Sequence, residues 1–176
     1  PESELRETRL KLRALLARPG IRPMPCCFDA LSARLIERAG FELTFMSGFA
    51  VSAARAGLPD TGLLSYGEMV DVGTAITSAI SLPVIGDGDT GYGNAVNVKR
   101  TVRGYARAGF ACVMIEDQLA PKRCGHTRGK AVVASLDEAD LLFRHVAPRP
   151  LDEIGVLARG RAALEEANRA MGLALA

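Results

Sequence analysis

One stretch constrains the fold of this chain more than any other: residues 81–94, which read Ser-Leu-Pro-Val-Ile-Gly-Asp-Gly-Asp-Thr-Gly-Tyr-Gly-Asn. A short apolar run from Leu82 to Ile85 leads into Asp87 and Asp89, and a glycine-rich turn follows. From Asn94 to Gly109 the apolar residues recur at helical spacing. The stretch therefore predicts a strand, a turn and a helix, with both carboxylates at the carboxyl end of the strand.

Two carboxylates at that position have two interpretations. Ligand sites of parallel α/β proteins form at the carboxyl ends of the strands, and carboxylate oxygens suit a divalent cation such as Mg²⁺. The alternative is a solvated acidic turn that also caps the following helix. This stretch by itself leaves both interpretations open.

The composition is that of an ordinary globular chain. Its 176 residues are 48% apolar and 24% charged, which is enough for one domain with a substantial core. The net charge is +2, and no basic tract points to nucleic acid and no apolar run is long enough to span a membrane. The four cysteines lack metal-ligand spacing, so we expect reduced thiols in an intracellular reducing compartment: cytoplasm, mitochondrial matrix or plastid stroma.

Strands and helices are predicted to alternate along the chain. An amphipathic helix is expected over 4–17, and a polar connection with small residues over 49–66. Successive strand–helix units predict parallel strands joined by right-handed crossovers. The predicted strands are Met24–Phe28, Leu43–Met46, Leu82–Ile85 and Cys112–Asp117, and the helices between them are Ala30–Ala39, Gly67–Ile80 and Asn94–Gly109.

Polar residues follow three of these strands: Ser47, the pair Asp87 and Asp89, and Glu116. Because the carboxyl ends of parallel strands lie along one edge of the sheet, these side chains are expected to converge. This convergence favours the metal site over the solvated turn.

A basic, glycine-containing loop follows the fourth strand over 118–130, with the composition of a mobile lid. Cys124 lies in it among Lys122, Arg123 and His126, and basic neighbours are typical of reactive thiols. The alternative is a surface cysteine in a loop that happens to be basic, with His126 an ordinary loop histidine.

These motifs resemble the isocitrate lyase and phosphoenolpyruvate mutase superfamily, over roughly residues 5–139. The acidic motif and the lid are most similar to the branch of petal-death-type lyases and carboxyvinyl-carboxyphosphonate phosphorylmutase. The residues that carry the resemblance are Cys27–Arg34, Met46–Gly48, Gly57–Asp60, Asp87–Asn94, Ile115–Gln118 and Pro121–His126.

The resemblance implies an α/β fold, a (β/α)8 TIM-type barrel that is incomplete in this chain, and a Mg²⁺ (or Mn²⁺) ion held partly through water. It implies one barrel domain over 1–176: an N-terminal helix over 1–20, the first barrel half over 21–139, and a partial later unit with a C-terminal helix over 140–176. The implied catalytic residues are Cys124 as acid/base on the lid, Lys122, His126 and Glu116. The implied substrate ligands are Ser47, Gly48 and Gly125, and the metal residues are Asp87, Asp89 and Asp60.

The implied function is a Mg²⁺-dependent carbon–carbon lyase that acts on a small 2-hydroxy or 2-oxo dicarboxylic acid, of the methylisocitrate, dimethylmalate or oxaloacetate type, through an enolate. One alternative is a phosphoenolpyruvate or carboxyphosphonate phosphonomutase, although mutase members lack the Lys-Arg-Cys-Gly-His lid. Another is an inactive barrel relative that serves as a subunit of a larger assembly. The resemblance also implies a homo-oligomer.

The family pattern breaks after the lid. Eight strand–helix units take about 250 residues, and no strand ending in a carboxylate-binding arginine is evident. The tail over 157–176 has a helical composition. Three explanations stay open: pieces of a longer protein joined in this sequence, a short form completed by a partner subunit, or a decayed relative. We favour the first, because an open half-barrel would expose apolar strand edges.

Overall fold

The structure is a computed structural model that describes residues 2–124 and 155–159. Helices and strands alternate over most of the described chain, which confirms the predicted α/β class. The helices are α1 (Glu2–Ala17), α2 (Ala30–Arg38), α3 (Gly48–Val51), a π-helix (Ser52–Ala56), α4 (Tyr66–Ala79) and α5 (Ala95–Arg107). The strands are β1 (Cys26–Cys27), β2 (Thr44–Met46), β3 (Val84–Asp87), β4 (Cys112–Glu116) and β5 (Gly155–Arg159).

The five strands form one parallel sheet in the order β1-β2-β3-β4-β5. Among the described strands, each pairs with the next one along the chain, which is the winding of a (β/α) barrel. The register places Met46 beside Gly86 and Asp87 beside Met114. All the carboxyl ends consequently lie along the same edge of the sheet.

A buried cluster fills the space between the sheet and the helices, and Phe110 and Tyr105 lie at its centre. Their rings stack with centroids 4.7 Å apart. Glycine is needed beside them, since a Cβ atom at Gly73 or Gly86 would lie 2.4 or 2.8 Å from the Phe110 ring. The two glycines thus let α4 and β3 approach this aromatic pair.

A second, smaller cluster joins α1 to the amino ends of the strands. Leu12 of α1 is 3% exposed and packs with Leu43, Ile85, Ala111 and Cys112. The helix predicted at the start of the chain is therefore confirmed, and it covers the end of the sheet opposite the acidic residues. No helix in the described part of the chain is long and apolar enough to cross a membrane.

Several boundaries differ from the sequence prediction. The first strand is limited to Cys26–Cys27, the second begins at Thr44, and the fourth ends at Glu116. The third strand begins at Val84, after Pro83, and continues through Gly86 to Asp87, because these residues pair with β4. The predicted connection over 49–66 contains the π-helix and all of α3 except its first residue, Gly48. Ser47 caps α3 by accepting a hydrogen bond from the Ala50 N–H.

The prediction of a helical tail from residue 157 is wrong for its first three residues. Gly155–Arg159 form a strand that pairs in parallel with β4, with Glu116 beside Arg159. The sheet therefore continues past β4 with a strand that ends in an arginine, which the sequence analysis did not identify. The helix predicted for the rest of the tail lies outside the described residues.

Candidate metal and substrate site

Asp87 is the last residue of β3, and its carboxylate is buried and held by two backbone groups. The Gly48 N–H donates to Oδ2 and the Asp89 N–H donates to Oδ1, both at 3.0 Å. A Cβ atom at residue 48 would lie 2.8 Å from Oδ2, so only glycine permits this approach. Burial raises the pKa of Asp87 to about 6, and the nearby Lys122 ammonium opposes the rise.

Asp89 follows in a strained backbone conformation, with φ at +51°. Its carbonyl accepts a 2.7 Å hydrogen bond from the Glu116 N–H, which joins the acidic turn to the end of β4. Its carboxylate is buried and contacts the Lys122 ammonium group. Burial raises the pKa of Asp89, and Lys122 acts in the opposite direction.

The Lys122 ammonium contacts both Asp89 and Asp60, although Asp60 lies 62 residues before Lys122 in the chain. Its Nζ lies 2.9 Å from Asp60 Oδ1, and its side chain is 5% exposed. The segment before Asp60 is held by the Ser52 hydroxyl, which donates to the carbonyls of Leu58 and Pro59. Burial alone would lower the pKa of Lys122, but the carboxylates of Asp89 and Asp87 outweigh it and raise this pKa.

The lid begins with a polar connection to β4. The Gln118 side-chain amide donates to the Glu116 carboxylate. The Arg123 N–H in turn donates to Gln118 Oε1 at 3.0 Å. Gln118 therefore links the end of β4 to Arg123, the residue between Lys122 and the half-buried Cys124.

The remaining predicted residues have mixed outcomes. Ser47 is half-buried at the end of β2, where its hydroxyl caps α3. The Gly48 N–H already donates to Asp87, so Gly48 orients a carboxylate of the site. Contacts of Ser47, Gly48 and Cys124 with substrate stay predictions. Gly125 and His126 lie outside the described residues.

The acidic residues fit a magnesium ion held partly through water. Within residues 5–124, no three His, Cys, Asp or Glu side chains converge closely enough to bind a metal ion by themselves. Mg²⁺ in proteins commonly keeps several waters and takes only one or two carboxylates. Asp87 and Asp89 supply two, and the Lys122 ammonium that contacts Asp89 and Asp60 already places one positive charge beside these carboxylates.

The comparison with known families decides the identity. The family model described as phosphoenolpyruvate phosphomutase matches residues 12–176. The chain belongs to the phosphoenolpyruvate mutase and isocitrate lyase superfamily. The resemblance carried by the acidic motif and the lid is therefore confirmed.

Individual relatives agree with this assignment. The chain is 42% identical to 2,3-dimethylmalate lyase of Eubacterium barkeri over 152 residues, which are 86% of this chain and 53% of the relative. Oxaloacetate acetylhydrolase, solved with 3,3-difluorooxalacetate, superposes with a TM-score of 0.79 at 35% identity, over 87% of this chain and 53% of that protein. Phosphonopyruvate hydrolase with oxalate and Mg²⁺ gives 0.75 at 30% identity, over 94% and 58%.

These matches cover only part of each relative. It spans about half the length of the curated and solved relatives it matches. The barrel class predicted from the motifs is confirmed by these neighbours and by the parallel sheet.

Two positions near the candidate site were given no role from the sequence. Gln118 connects Glu116 to the lid, and Arg159 ends β5 in register with Glu116. The signal for Arg159 was present, since Gly-Val-Leu-Ala-Arg is an apolar run that ends in a charge. The run was not recognised as a strand because, taken together with the residues that follow it, it has the composition of a helix.

Proposed function

We propose that the protein is a Mg²⁺-dependent carbon–carbon lyase that acts on a small 2-hydroxy or 2-oxo dicarboxylic acid, of the dimethylmalate, methylisocitrate or oxaloacetate type. One observation carries the proposal: buried Asp87 and Asp89 share the carboxyl edge of the sheet with the Lys122–Arg123–Cys124 lid segment. Relatives named as lyases of such acids, and a hydrolase of a 2-oxo dicarboxylate, support the substrate class.

The reaction requires charge stabilisation and a proton donor. Cleavage beside a hydroxyl moves the electrons of the C–C bond onto the carbon next to a carboxylate. The hydroxyl gives its proton to a carboxylate of the acidic network, which acts as the base, and the hydroxyl carbon becomes a carbonyl. A divalent cation held by Asp87 and Asp89 would supply stabilisation for the negative charge that develops. Cys124 would then give its proton to the carbanion, with water excluded by the closed lid.

The other residues bind and orient. Ser47 at the end of β2 would bind the carboxylate or oxo group, and Arg159 at the end of β5 would bind a carboxylate, for which a guanidinium is well shaped. Asp60 and Glu116 complete the acidic network, and we assign Lys122, Gly125 and His126 to shaping the lid. These roles agree with the placement of the described residues at one edge of the sheet.

A phosphonomutase is the second candidate, favoured by the family model that matches most of the chain. It would rearrange a phosphoenolpyruvate-like ester into a phosphonate without a proton donor on the lid. Cys124 within Lys-Arg-Cys-Gly-His favours the lyase over the mutase.

The test is an assay of the full chain with Mg²⁺ and a panel of substituted 2-hydroxy dicarboxylates, in which the 2-oxo acid product is measured. Cys124→Ser should lower kcat by about 10²- to 10⁴-fold, the usual contribution of an acid/base group. The matched control is Cys26→Ser, an exposed cysteine of β1, which should leave turnover unchanged. Turnover that survives Cys124→Ser would contradict the lyase mechanism, and a phosphonate product in the phosphorus NMR spectrum would favour the mutase.

A further inference from the structure

A fully buried tyrosine hydroxyl lies directly beneath the two aspartates. Tyr105 of α5 is 0% exposed, and its ring stacks on Phe110 in the core. Phenylalanine would fill the same space without the requirement to satisfy a buried hydroxyl group. The Tyr105 hydroxyl instead donates a 2.7 Å hydrogen bond to the backbone carbonyl of Asp87.

That carbonyl belongs to the peptide group that joins Asp87 to Gly88. The N–H of the same peptide group donates to the Met114 carbonyl of β4 at 2.8 Å. Both polar ends of one peptide are therefore held, one by α5 and one by the neighbouring strand. The orientation of this peptide sets the direction in which the chain leaves Asp87 toward Asp89.

A second tyrosine extends the arrangement. The hydroxyl groups of Tyr92 and Tyr105 are 3.2 Å apart. Because the single proton of Tyr105 points to Asp87, the proton in this second bond must come from Tyr92. A phenol ordinarily titrates at about pH 10, so both hydroxyl groups are protonated at neutral pH and the direction of both bonds is fixed.

Tyr92 itself has a left-handed backbone, with φ at +60°, as does Asp89 at +51°. Such conformations in residues other than glycine persist only where surrounding contacts hold them. Tyr92 contacts the Tyr66 ring edge-on, with centroids 5.9 Å apart, in addition to its bond to Tyr105. The strained turn that carries Asp89 is thus held from both of its ends.

We propose that Tyr105 and Tyr92 are positioning residues of the metal site: their hydroxyl chain orients the Asp87–Gly88 peptide and thereby sets the two carboxylates for a divalent cation. This inference rests on the proposed function in one respect, because that function supplies the identity of the ligand, a divalent cation. The orientation of the peptide is a property of the metal-free chain as well.

The experiment compares Tyr105→Phe, Tyr92→Phe and the double variant, with Mn²⁺ titrated by calorimetry into each. Tyr105→Phe should raise the Mn²⁺ dissociation constant about tenfold, as expected for the loss of one buried hydrogen bond. Tyr92→Phe should raise it about threefold. The double variant should match Tyr105→Phe alone, because Tyr92 acts through Tyr105.

Tyr66→Phe is the matched control, since it removes a hydroxyl from the same aromatic group but not from the chain that reaches Asp87. It should leave the dissociation constant unchanged. If Tyr105→Phe and Tyr92→Phe both lower the unfolding temperature but leave Mn²⁺ affinity unchanged, the tyrosines serve only the fold and the proposal is overturned.

Amide hydrogen exchange separates this proposal from the proposed function. In the metal-free protein, Tyr105→Phe and Tyr92→Phe should each accelerate exchange over 88–91, and Tyr66→Phe should not. If the wild type binds no Mn²⁺, the proposed function fails, and exchange still decides the positioning role. Unchanged exchange over 88–91 in both variants would overturn it.

Discussion

At the scale of single residues, the site places more negative than positive charge in a buried space. Asp60, Asp87 and Asp89 carry three negative charges when ionised, and the Lys122 ammonium in contact with two of them carries one positive charge. Lys122 is 5% exposed, so water screens these charges weakly. Two negative charges remain among these four groups, and the Glu116 carboxylate near Asp89 adds a third when ionised, so a divalent cation would neutralise most of the excess.

Lys122→Gln should destabilise the metal-free protein by about 3 kcal/mol, because it leaves the buried carboxylates of Asp89 and Asp60 without their cation. Mg²⁺ should then restore more stability to this variant than to the wild type, as measured by urea unfolding with and without the metal. Lys11→Gln is the control, since Lys11 is half-exposed and 3.9 Å from Glu7, and surface pairs of this kind contribute less than 1 kcal/mol. Equal effects of the two substitutions would show that Lys122 is not a structural counter-ion.

The raised pKa of Asp87 predicts the pH dependence of metal binding. The carboxylate must be ionised to bind a cation, and burial raises its pKa to about 6. The metal dissociation constant should therefore be constant above pH 7 and rise about tenfold for each pH unit below about 6. Titration of Mg²⁺ between pH 5 and pH 8 measures this directly, and affinity that does not vary over this range would contradict it.

At the scale of elements, the α5 helix carries a glycine for reasons of space. A Cβ atom at Gly104 would lie 1.7 Å from the Tyr66 hydroxyl. The Arg100 guanidinium covers the Tyr66 ring, 4.1 Å from its centroid. Glycine inside a helix is unfavourable by about 1 kcal/mol relative to alanine. The packing of Tyr66 against α5 therefore outweighs helix propensity at this position.

Gly104→Ala should lower the free energy of unfolding by about 1–3 kcal/mol, the usual effect of overpacking. Gly67→Ala in α4 is the matched control, because within the described part of the chain its Cβ would have only the Ser65 hydroxyl within 4 Å, at 3.9 Å. That variant should be neutral or slightly more stable. Urea unfolding of the pair measures the difference, and a stabilising Gly104→Ala would show that Tyr66 can move away at no cost.

Elements with a strong local signal were predictable from the sequence. Ser65 with Glu68 and Asn94 with Asn97 form capping boxes that mark the starts of α4 and α5. The small helices after Ser47 were not predictable, because Ser-Ala-Ala-Arg-Ala has neither a long apolar period nor a length typical of helices. The strand at Gly155–Arg159 depends on pairing with β4, and such pairing cannot be predicted from local composition.

At the scale of the whole molecule, the two ends of the sheet differ: one carries the candidate site and the other packs against α1. The carboxyl end gathers the acidic residues, whereas α1 covers the amino end with Leu12. The acidic pair was evident in the sequence because both aspartates lie within three residues. The Lys122–Asp60 contact was not, because it joins residues 62 positions apart, and only the winding of the sheet brings them together.

Leu12→Ala should destabilise the protein by about 2–4 kcal/mol, because it leaves a cavity between α1 and the strands. Leu10→Ala is the control on the same helix, since Leu10 is 55% exposed and should change stability by less than about 0.5 kcal/mol. Thermal unfolding of both variants gives the comparison. Equal midpoints would mean that α1 does not pack on the sheet as described.

Calorimetry with Mn²⁺ distinguishes a metal site from a solvated acidic turn, through the number of ions bound by the full chain in the wild type, in Cys124→Ser and in the double variant Asp87→Asn with Asp89→Asn. We expect one ion per chain in the wild type, one in Cys124→Ser, and none in the double variant. Metal binding that persists in the double variant, or a wild type that binds no ion at millimolar Mn²⁺, would contradict the assignment of this edge of the sheet as a metal site.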